Sequence, residues 1–491
     1  VTGSSSQVAG SSQTLTITAK DAQGNTDTSY TGDKTLSFSG ANSSSNPAMS
    51  PTVTDKSGTA ITFGSPTTVT FANGVATVGG SLTLYKVESA PLVVSEGVRT
   101  CSGSDCLTVA VSYGTASKLA FTTQPSASTV SAVAFVDQPV VVIQDAYGNT
   151  VTNGSDASES VSLTLVGTGT LGGTAIATAS HGIATFSGLS VDLVGTGKKL
   201  TASSVLASVT RTVDSGLFAI TSASASKLVL GGSTSQVAGS SQTLTITAKD
   251  AQGNTDTSYT GDKTLSFSGA NSSSNPAMSP TVTDKSGTAI TFGSPTTVTF
   301  ANGVATVGGS LTLYKVESAP LVVSEGVRTC SGSDCLTVAV SYGTASKLAF
   351  TTQPSASTVS AVAFVDQPVV VIQDAYGNTV TNGSDASESV SLTLVGTGTL
   401  GGTAIATASH GIATFSGLSV DLVGTGKKLT ASSVLASVTR TVDSGLFAIT
   451  SASASKLVFT TTAMNTQAGT LSGVMTVQLQ DASGNPVNAA S

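Results

Sequence analysis

Apolar and polar residues alternate in short runs along almost the whole chain. Leu15, Ile17 and Ala19 interleave with Thr14, Thr16 and Thr18; Leu107, Val109 and Val111 with Thr108 and Ala110; Val161, Leu163 and Leu165 with Ser162 and Thr164. A period of two puts one face of a strand in a core and the other in water. The threonines suit this pattern, because a β-branched side chain fits a half-buried pleated surface. Turn signals separate the runs, among them Asn73-Gly74 and Asn153-Gly154, and Asn-Gly supplies the positive φ values of a tight hairpin. No stretch carries a helical period. Short strands spaced this closely predict two-sheet sandwiches of about 110 residues each.

The pattern repeats at domain scale. Residues 6–229 recur residue for residue at 235–458, so that Gln7 returns as Gln236, Cys101 as Cys330 and His181 as His410. The unit is itself double. Lys-Leu opens a strand at Lys118, Lys227, Lys347 and Lys456. Two module types therefore alternate, a longer type A with the cysteines and a shorter type B with the histidine. The expected modules are 1–117 (type A, without its Lys-Leu opening), 118–226 (B), 227–346 (A), 347–455 (B) and 456–491, the start of a further one. Copies of domain size argue for an array of modules and not one globular core. Both ends look cut from a continuing array, and the opening Val1, with no signal peptide after it, is what a piece of a longer protein would show.

Composition narrows the function classes. Charged residues are 10% of the chain and the net charge is −7, against about 25% charged in an average soluble protein. There is no basic patch, so no nucleic-acid partner is expected. An apolar content of 39% argues against disorder. The best membrane candidate, residues 132–143, is interrupted by Asp137, Gln138 and Pro139, and no membrane span is expected.

The cysteines come as identical pairs, Cys101/Cys106 and Cys330/Cys335, each flanking Ser-Gly-Ser-Asp between two strand-like runs. A disulfide across a hairpin is expected, with free thiols as the alternative. Cys-x4-Cys without a second ligand pair nearby disfavours a metal. Disulfides imply an oxidising, extracytoplasmic setting, and the expected location is extracellular or at the cell surface.

One turn motif crosses both module types. It reads Asp21-Ala22-Gln23-Gly24-Asn25 and Asp145-Ala146-Tyr147-Gly148-Asn149, then returns with Asp250, Gly253 and Asn254, with Asp374, Gly377 and Asn378, and with Asp481 and Asn485. A hairpin signal follows it: Asn73-Gly74-Val75-Ala76-Thr77 in type A, Gly182-Ile183-Ala184-Thr185 in type B. Together these resemble bacterial immunoglobulin-like domains of the invasin and intimin type and, more distantly, filamin repeats. The resemblance covers essentially the whole chain as a domain pattern and is specific for that broad group only. It implies an all-β fold of tandem immunoglobulin-like β-sandwich domains in an elongated array, exposed at a bacterial cell surface. It carries over no functional site.

Each candidate for chemistry has a plainer reading. The Asp-x-x-Gly-Asn turn is read as a structural turn in which Asp caps its own loop, Gly takes positive φ and Asn tolerates the left-handed region. Calcium is the alternative, since stalks of this resemblance sometimes carry it between domains, but calcium needs six to eight oxygens and acids are sparse here. No other cofactor is expected. His181 and His410 precede a hairpin strand and read as exposed turn residues and not as members of a triad. Gly167-Thr168-Gly169-Thr170-Leu171-Gly172 has the letters of a dinucleotide fingerprint but no helix after it. Gly195-Thr196-Gly197-Lys198-Lys199 misses the spacing of a phosphate loop. Asn42-Ser43-Ser44 and Asn153-Gly154-Ser155, repeated at Asn271 and Asn382, match glycosylation sequons that chance supplies readily in a Ser-rich chain. Lys20 and Lys118 invite an isopeptide bond, which requires a buried Lys, Asn and acid together.

No active site is expected. The sequence is read as a structural extracellular repeat protein, a semi-rigid cell-surface stalk or filament. The junctions, such as residues 116–119, leave no long linker. The alternative is an adhesin whose repeats bind a host, a neighbouring cell or a glycan, for which Tyr147, in a turn, is a candidate exposed aromatic. Partners on either reading are other copies of the chain, neighbouring surface proteins or a surface ligand. Residues 456–491 hold too few strands for a sandwich. Continuation of the same chain is favoured over strands donated by another.

Overall fold

Strand after strand ends at a glycine or an Asn-Gly pair, and the folded chain is all-β. The computed structural model describes residues 1–488; the end of the expected module 456–491 lies outside the described residues. Four hydrophobic cores form among those residues. They run from Ala9 to Val111, from Ala116 to Ile220, from Ala225 to Val340 and from Ala345 to Ile449. The alternating positions supply them: Leu15, Ile17, Val109, Val111, Val161 and Leu163 are all buried. The chain forms two compact units, Val1–Ala223 with Gln252–Asn254, and Ser224–Ala251 with Thr255 onward.

In the first unit the type A sandwich has one sheet in the order Ser6–Val8, Leu107–Ser112, Ser89–Glu96, Gly32–Ser39, Thr67–Ala72 and Val75–Val78, with Arg99–Thr100 hydrogen-bonded to Ser89–Glu96. A four-stranded sheet of Ser12–Thr14, Ser81–Thr83, Thr52–Thr54 and Ala60–Thr62 lies in the same sandwich. Ser6–Val8 pairs parallel with Leu107–Ser112, whereas its neighbours pair antiparallel. The type B sandwich has Ser128–Val130, Phe218–Thr221, Gly195–Leu206, Ser160–Val166 and Ile176–Thr178 in one sheet, and Lys118–Thr123, Val140–Gln144 and Ile183–Thr185 in another. Here the parallel pair is Ser128–Val130 with Phe218–Thr221. The opening stretch of type B thus divides between two sheets, first Lys118–Thr123 and then Ser128–Val130, as in an immunoglobulin-like sandwich.

The second unit repeats this architecture. Its type A module opens with Lys227–Gly231, paired antiparallel with Thr245–Lys249. Beyond its type B sandwich, Lys456–Phe459 pairs with Val477–Gln480.

The turn chemistry is mixed. Asn73-Gly74 makes the hairpin between Thr67–Ala72 and Val75–Val78, with φ of 50° and 81°. Asn153-Gly154 does not close a hairpin. It leads into a short 3-10 turn, Asp156–Ser158, with only Gly154 at positive φ. The difference lies in the flanks, because no strand pairs across that turn.

Candidate functional site

The Asp-x-x-Gly-Asn turn does more than close a loop. It follows Val140–Gln144, and its ends are tied by Asp145 N–H donating to Asn149 O at 2.9 Å. Asp145 is 1% exposed. Its Oδ1 accepts the backbone N–H groups of Tyr147 and Asn149, both at 2.9 Å. Its Oδ2 accepts the Asn149 side-chain amide at 2.9 Å and the N–H of Gly114, on the stretch leading into the type B module, at 2.9 Å. One carboxylate therefore caps its turn, holds the connecting segment and orients the asparagine. Buried carboxylate oxygens need such donors, because a desolvated charge without partners is costly.

The asparagine reaches the module before it. Asn149 Nδ2 donates to Tyr85 O at 2.8 Å, and Asn149 Oδ1 accepts from Val87 N–H at 2.8 Å. A side-chain amide has the donor and acceptor spacing of a peptide group, so it pairs with a C=O and the N–H two residues on as a neighbouring strand would. The second unit repeats the latch: Asn378 bonds Tyr314 O and Val316 N–H at 2.8 Å each, while Asp374 Oδ2 accepts from Gly343 N–H. It returns once more where Asn485 donates to Asp421 O at 2.7 Å and accepts from Val423 N–H at 2.8 Å, with Asp481 Oδ2 accepting from Ala452 N–H. Asp481 is fully buried. Burial pushes its carboxyl up, but the Asn485 side-chain and backbone donors, Ala452 N–H and the Ser360 hydroxyl outweigh that and bring it down to about 2.

Two further contacts surround the first latch. Tyr147 packs against Tyr85 with ring centroids 5.1 Å apart and ring planes tilted by 59°. It is half-buried, which corrects the expectation of an exposed aromatic: the neighbouring module covers it. Lys118 Nζ donates to the backbone carbonyl of Asn46, and Gly148 sits so close to that loop that a Cβ would stand 2.7 Å from Asn46 O. The type A loop around Asn46-Pro47 thus reaches onto the turn of the module that follows.

The other turns fall in place as follows. Asp21 Oδ1 accepts from Gln23 and Asn25 N–H, and its Oδ2 from Asn25 Nδ2 at 3.2 Å, with Gly24 at φ 87°. Both Asp21 and Asn25 are exposed. Asp250 and Asn254 are buried, with Gly253 at φ 89°. Gly377 has φ 87°.

Cys101 is bonded to Cys106 and Cys330 to Cys335. In the second unit the loop closed by Cys330–Cys335 presents Asp334 to Lys227 at 2.9 Å. Next to it Arg328 Nε donates to Ala225 O at 2.8 Å, while Asp256 Oδ2 accepts from Ala225 N–H at 2.7 Å. The disulfide loop therefore helps hold the strand that opens its own module.

The remaining candidates separate. His181, at φ 51°, lies on an exposed turn with the Ser180 hydroxyl 3.2 Å from Nδ1. Lys20 pairs with Asp105 at 3.0 Å on the surface, and Lys118 bonds backbone carbonyls. Neither meets the buried Lys, Asn and acid of an isopeptide. The glycine-rich loops carry a residue that sequence reasoning missed. Lys198 is 2% exposed, with Nζ bonded to the Thr168 hydroxyl at 2.9 Å, and a Cβ on Gly195 would stand 3.0 Å from its Cε. Gly167 and Gly195 face the Lys198 stem, which leaves no room for a side chain at either. Among the described residues, no group of three or more His, Cys, Asp or Glu could hold a metal ion, and no helix is long and apolar enough to cross a membrane.

No protein-family model matches the chain, and no curated protein matches it. Solved structures do resemble it. The crystal structure of invasin, a bacterial integrin-binding protein, has 10% identity over 89% of this chain and 76% of that one, with a TM-score of 0.26. InvD of Yersinia pseudotuberculosis has 15% identity over 67% of this chain and 96% of that one, at 0.25. An ICAM-5 D1–D4 ectodomain fragment has 11% identity over 91% and 98%, at 0.22. The chain's own sheets and cores make it an all-β protein of tandem two-sheet sandwiches with an immunoglobulin-like arrangement.

Proposed function

We propose that the chain is a segment of an extracellular, semi-rigid cell-surface stalk or filament, built of modules at 1–117, 118–226, 227–346, 347–455 and 456–491, and that it is not an enzyme. The observation that carries this reading is the asparagine latch, repeated at Asn149, Asn378 and Asn485. A flexible tether would leave the turn of each module in water. Here the turn spends a buried carboxylate and a side-chain amide on the preceding module, which restricts their relative motion. The disulfides fit an oxidising exterior. No cofactor is assigned. The test is limited proteolysis of the full chain: Asn378→Ala should expose the connecting segment at residues 341–347 to cleavage while the cores stay resistant. Equal cleavage in the parent and the variant would remove the support for a semi-rigid stalk.

A second reading, the adhesive one, is favoured by a separate observation. Val136 and Val365 are each 88% exposed, and Ile176 and Ile405 each 63%. Apolar side chains presented at every repeat suit weak multivalent contact with a surface ligand or with other copies. Charged substitution at both valines should abolish retention on a cell or glycan surface if this reading holds and leave it untouched otherwise.

A further inference from the structure

The two module types differ at the second residue after their short parallel strand. In type A this is Gly10, at φ 78°, whose N–H donates to Leu84 O. Its copy is Gly239, bonded to Leu313 O. In type B it is Ala132, at φ 59°, bonded to Val191 O, with a copy at Ala361, at φ 60°, bonded to Val420 O. The backbone is the same and the side chain is not. At positive φ glycine is the unstrained choice, and alanine rarely adopts that region. Something other than backbone comfort is served by the methyl group.

The turn that docks there supplies the reason. In the junction after type A, a Cβ on Gly10 would stand 2.0 Å from the Tyr147 hydroxyl and 2.3 Å from its ring; Gly239 bears the same relation to Tyr376. The tyrosine fits only because the methyl is missing. The third position of the turn motif is Tyr147 and Tyr376 in the modules that follow type A, and Gln252 and Ser483 in those that follow type B. Type B also replaces Ala238 by Ser360, and Ser360 Oγ accepts from Asn485 Nδ2 at 2.8 Å.

We propose that this position is a gate that decides which module can dock behind which. Type A presents glycine with Tyr85 or Tyr314 and accepts the tyrosine-bearing turn of a type B module. Type B presents alanine and serine, rejects the tyrosine, and accepts a turn with a smaller or more flexible third residue. The attractive element is the tyrosine pair and the repulsive one is the alanine methyl, the combination by which specific interfaces exclude wrong partners. Two type B modules in succession are thereby disfavoured. The gate deepens the junction reading above and rests on it.

The test uses the full chain and amide hydrogen exchange. Val423 N–H is bonded to Asn485 Oδ1 and reports the junction behind a type B module. Val316 N–H, bonded to Asn378 Oδ1, is the internal control. Ser483→Tyr should speed Val423 exchange about tenfold or more while Val316 is unchanged, as for local opening of one docking site. Adding Ala361→Gly to Ser483→Tyr should return Val423 to the parent rate, and Ala361→Gly alone should leave it there. Val423 unaffected by Ser483→Tyr, or no recovery in the double variant, overturns the gate. Asn485→Ala separates the two levels: if Val423 is no faster in that variant, the latch itself is wrong, whatever Ser483→Tyr does.

Discussion

The carboxylate of Asp145 and the side-chain amide of Asn149 are 2.9 Å apart, and that hydrogen bond decides which way the amide faces. With Nδ2 held by the carboxylate and by Tyr85 O, Oδ1 is left towards Val87 N–H. Exchanging asparagine for aspartate would keep the shape and lose both donors. It would also set two carboxylates side by side, next to a carbonyl. Asn149→Asp is therefore expected to weaken docking more than Asn149→Ala, which should cost about 1–3 kcal/mol for the unpaired backbone groups it leaves. Exchange of the Val87 amide, compared between the two variants, checks the order.

Much of this was legible in the residues. Val109 and Val111 announced a strand because burial on one face leaves a period of two, while Leu15 and Ile17 are buried on the same period but lie outside the strands, flanked by the isolated bridges of Thr16 and Thr18. Cys101/Cys106 announced a disulfide because their spacing brackets a short polar loop, although that loop holds a 3-10 turn, Gly103–Asp105, and its flanking strands pair with Ser89–Glu96 and not with each other. Asp145, Gly148 and Asn149 were legible as a turn, since each contributes locally. Their second task was not. The partners of Asn149 are backbone groups of residues 85 and 87, which have no side-chain signature and lie in another module. Tyr147 was misplaced for the same reason: a turn looks exposed until the sandwich that covers it is known. Lys198 was hidden because a glycine-rich loop looks the same whether it cradles a phosphate or a lysine stem. The positive φ of Ala132 and Ala361 was hidden too, because φ is invisible in a sequence.

Acid should act on the last latch. The Asp481 carboxyl is lowered from 3.8 to about 2 by its hydrogen bonds in spite of burial. A depressed folded value means that its contribution is fully present above the ordinary carboxylate value and is lost as pH falls through about 2. Docking of residues 456–488 should therefore be independent of pH down to about 4 and weaken progressively between there and pH 2. Protease sensitivity of residues 450–456, measured with an acid-active enzyme across that window, checks it. Release already complete at pH 5 would contradict the assignment.

The disulfide loops should contribute through what they present. Closing so short a loop is worth about 2 kcal/mol in the loop-entropy model. In the second unit the loop also positions Asp334 for Lys227. Cys330→Ser with Cys335→Ser is expected to lower the midpoint of the type A transition and to speed exchange along Lys227–Gly231. Asp334→Asn in the intact disulfide background should reproduce the local exchange with a much smaller fall in midpoint, because the pair is partly exposed and such bridges contribute little to global stability.

The buried lysines of type B make the final case. Lys427 is 2% exposed, its Nζ bonds the Thr397 hydroxyl at 2.9 Å, and its stem lies against Gly396 and Gly424. A Cβ on Gly424 would stand 3.1 Å from Lys427 Cε, and φ there is 152°. Gly424→Ala therefore meets the lysine stem and a backbone region that favours glycine, and should destabilise the module by about 1–3 kcal/mol. Lys427→Met keeps the stem and removes the ammonium. If the lysine serves packing, Lys427→Met should be close to neutral, because the hydrogen bonds lost at Thr397 are offset by removing a desolvated ammonium. If the charge itself is needed to satisfy Thr397, Lys427→Met should be as damaging as Gly424→Ala. Denaturant midpoints of the two variants, read on the type B transition of the full chain, decide between them, and the packing of the stem against both glycines predicts the first result.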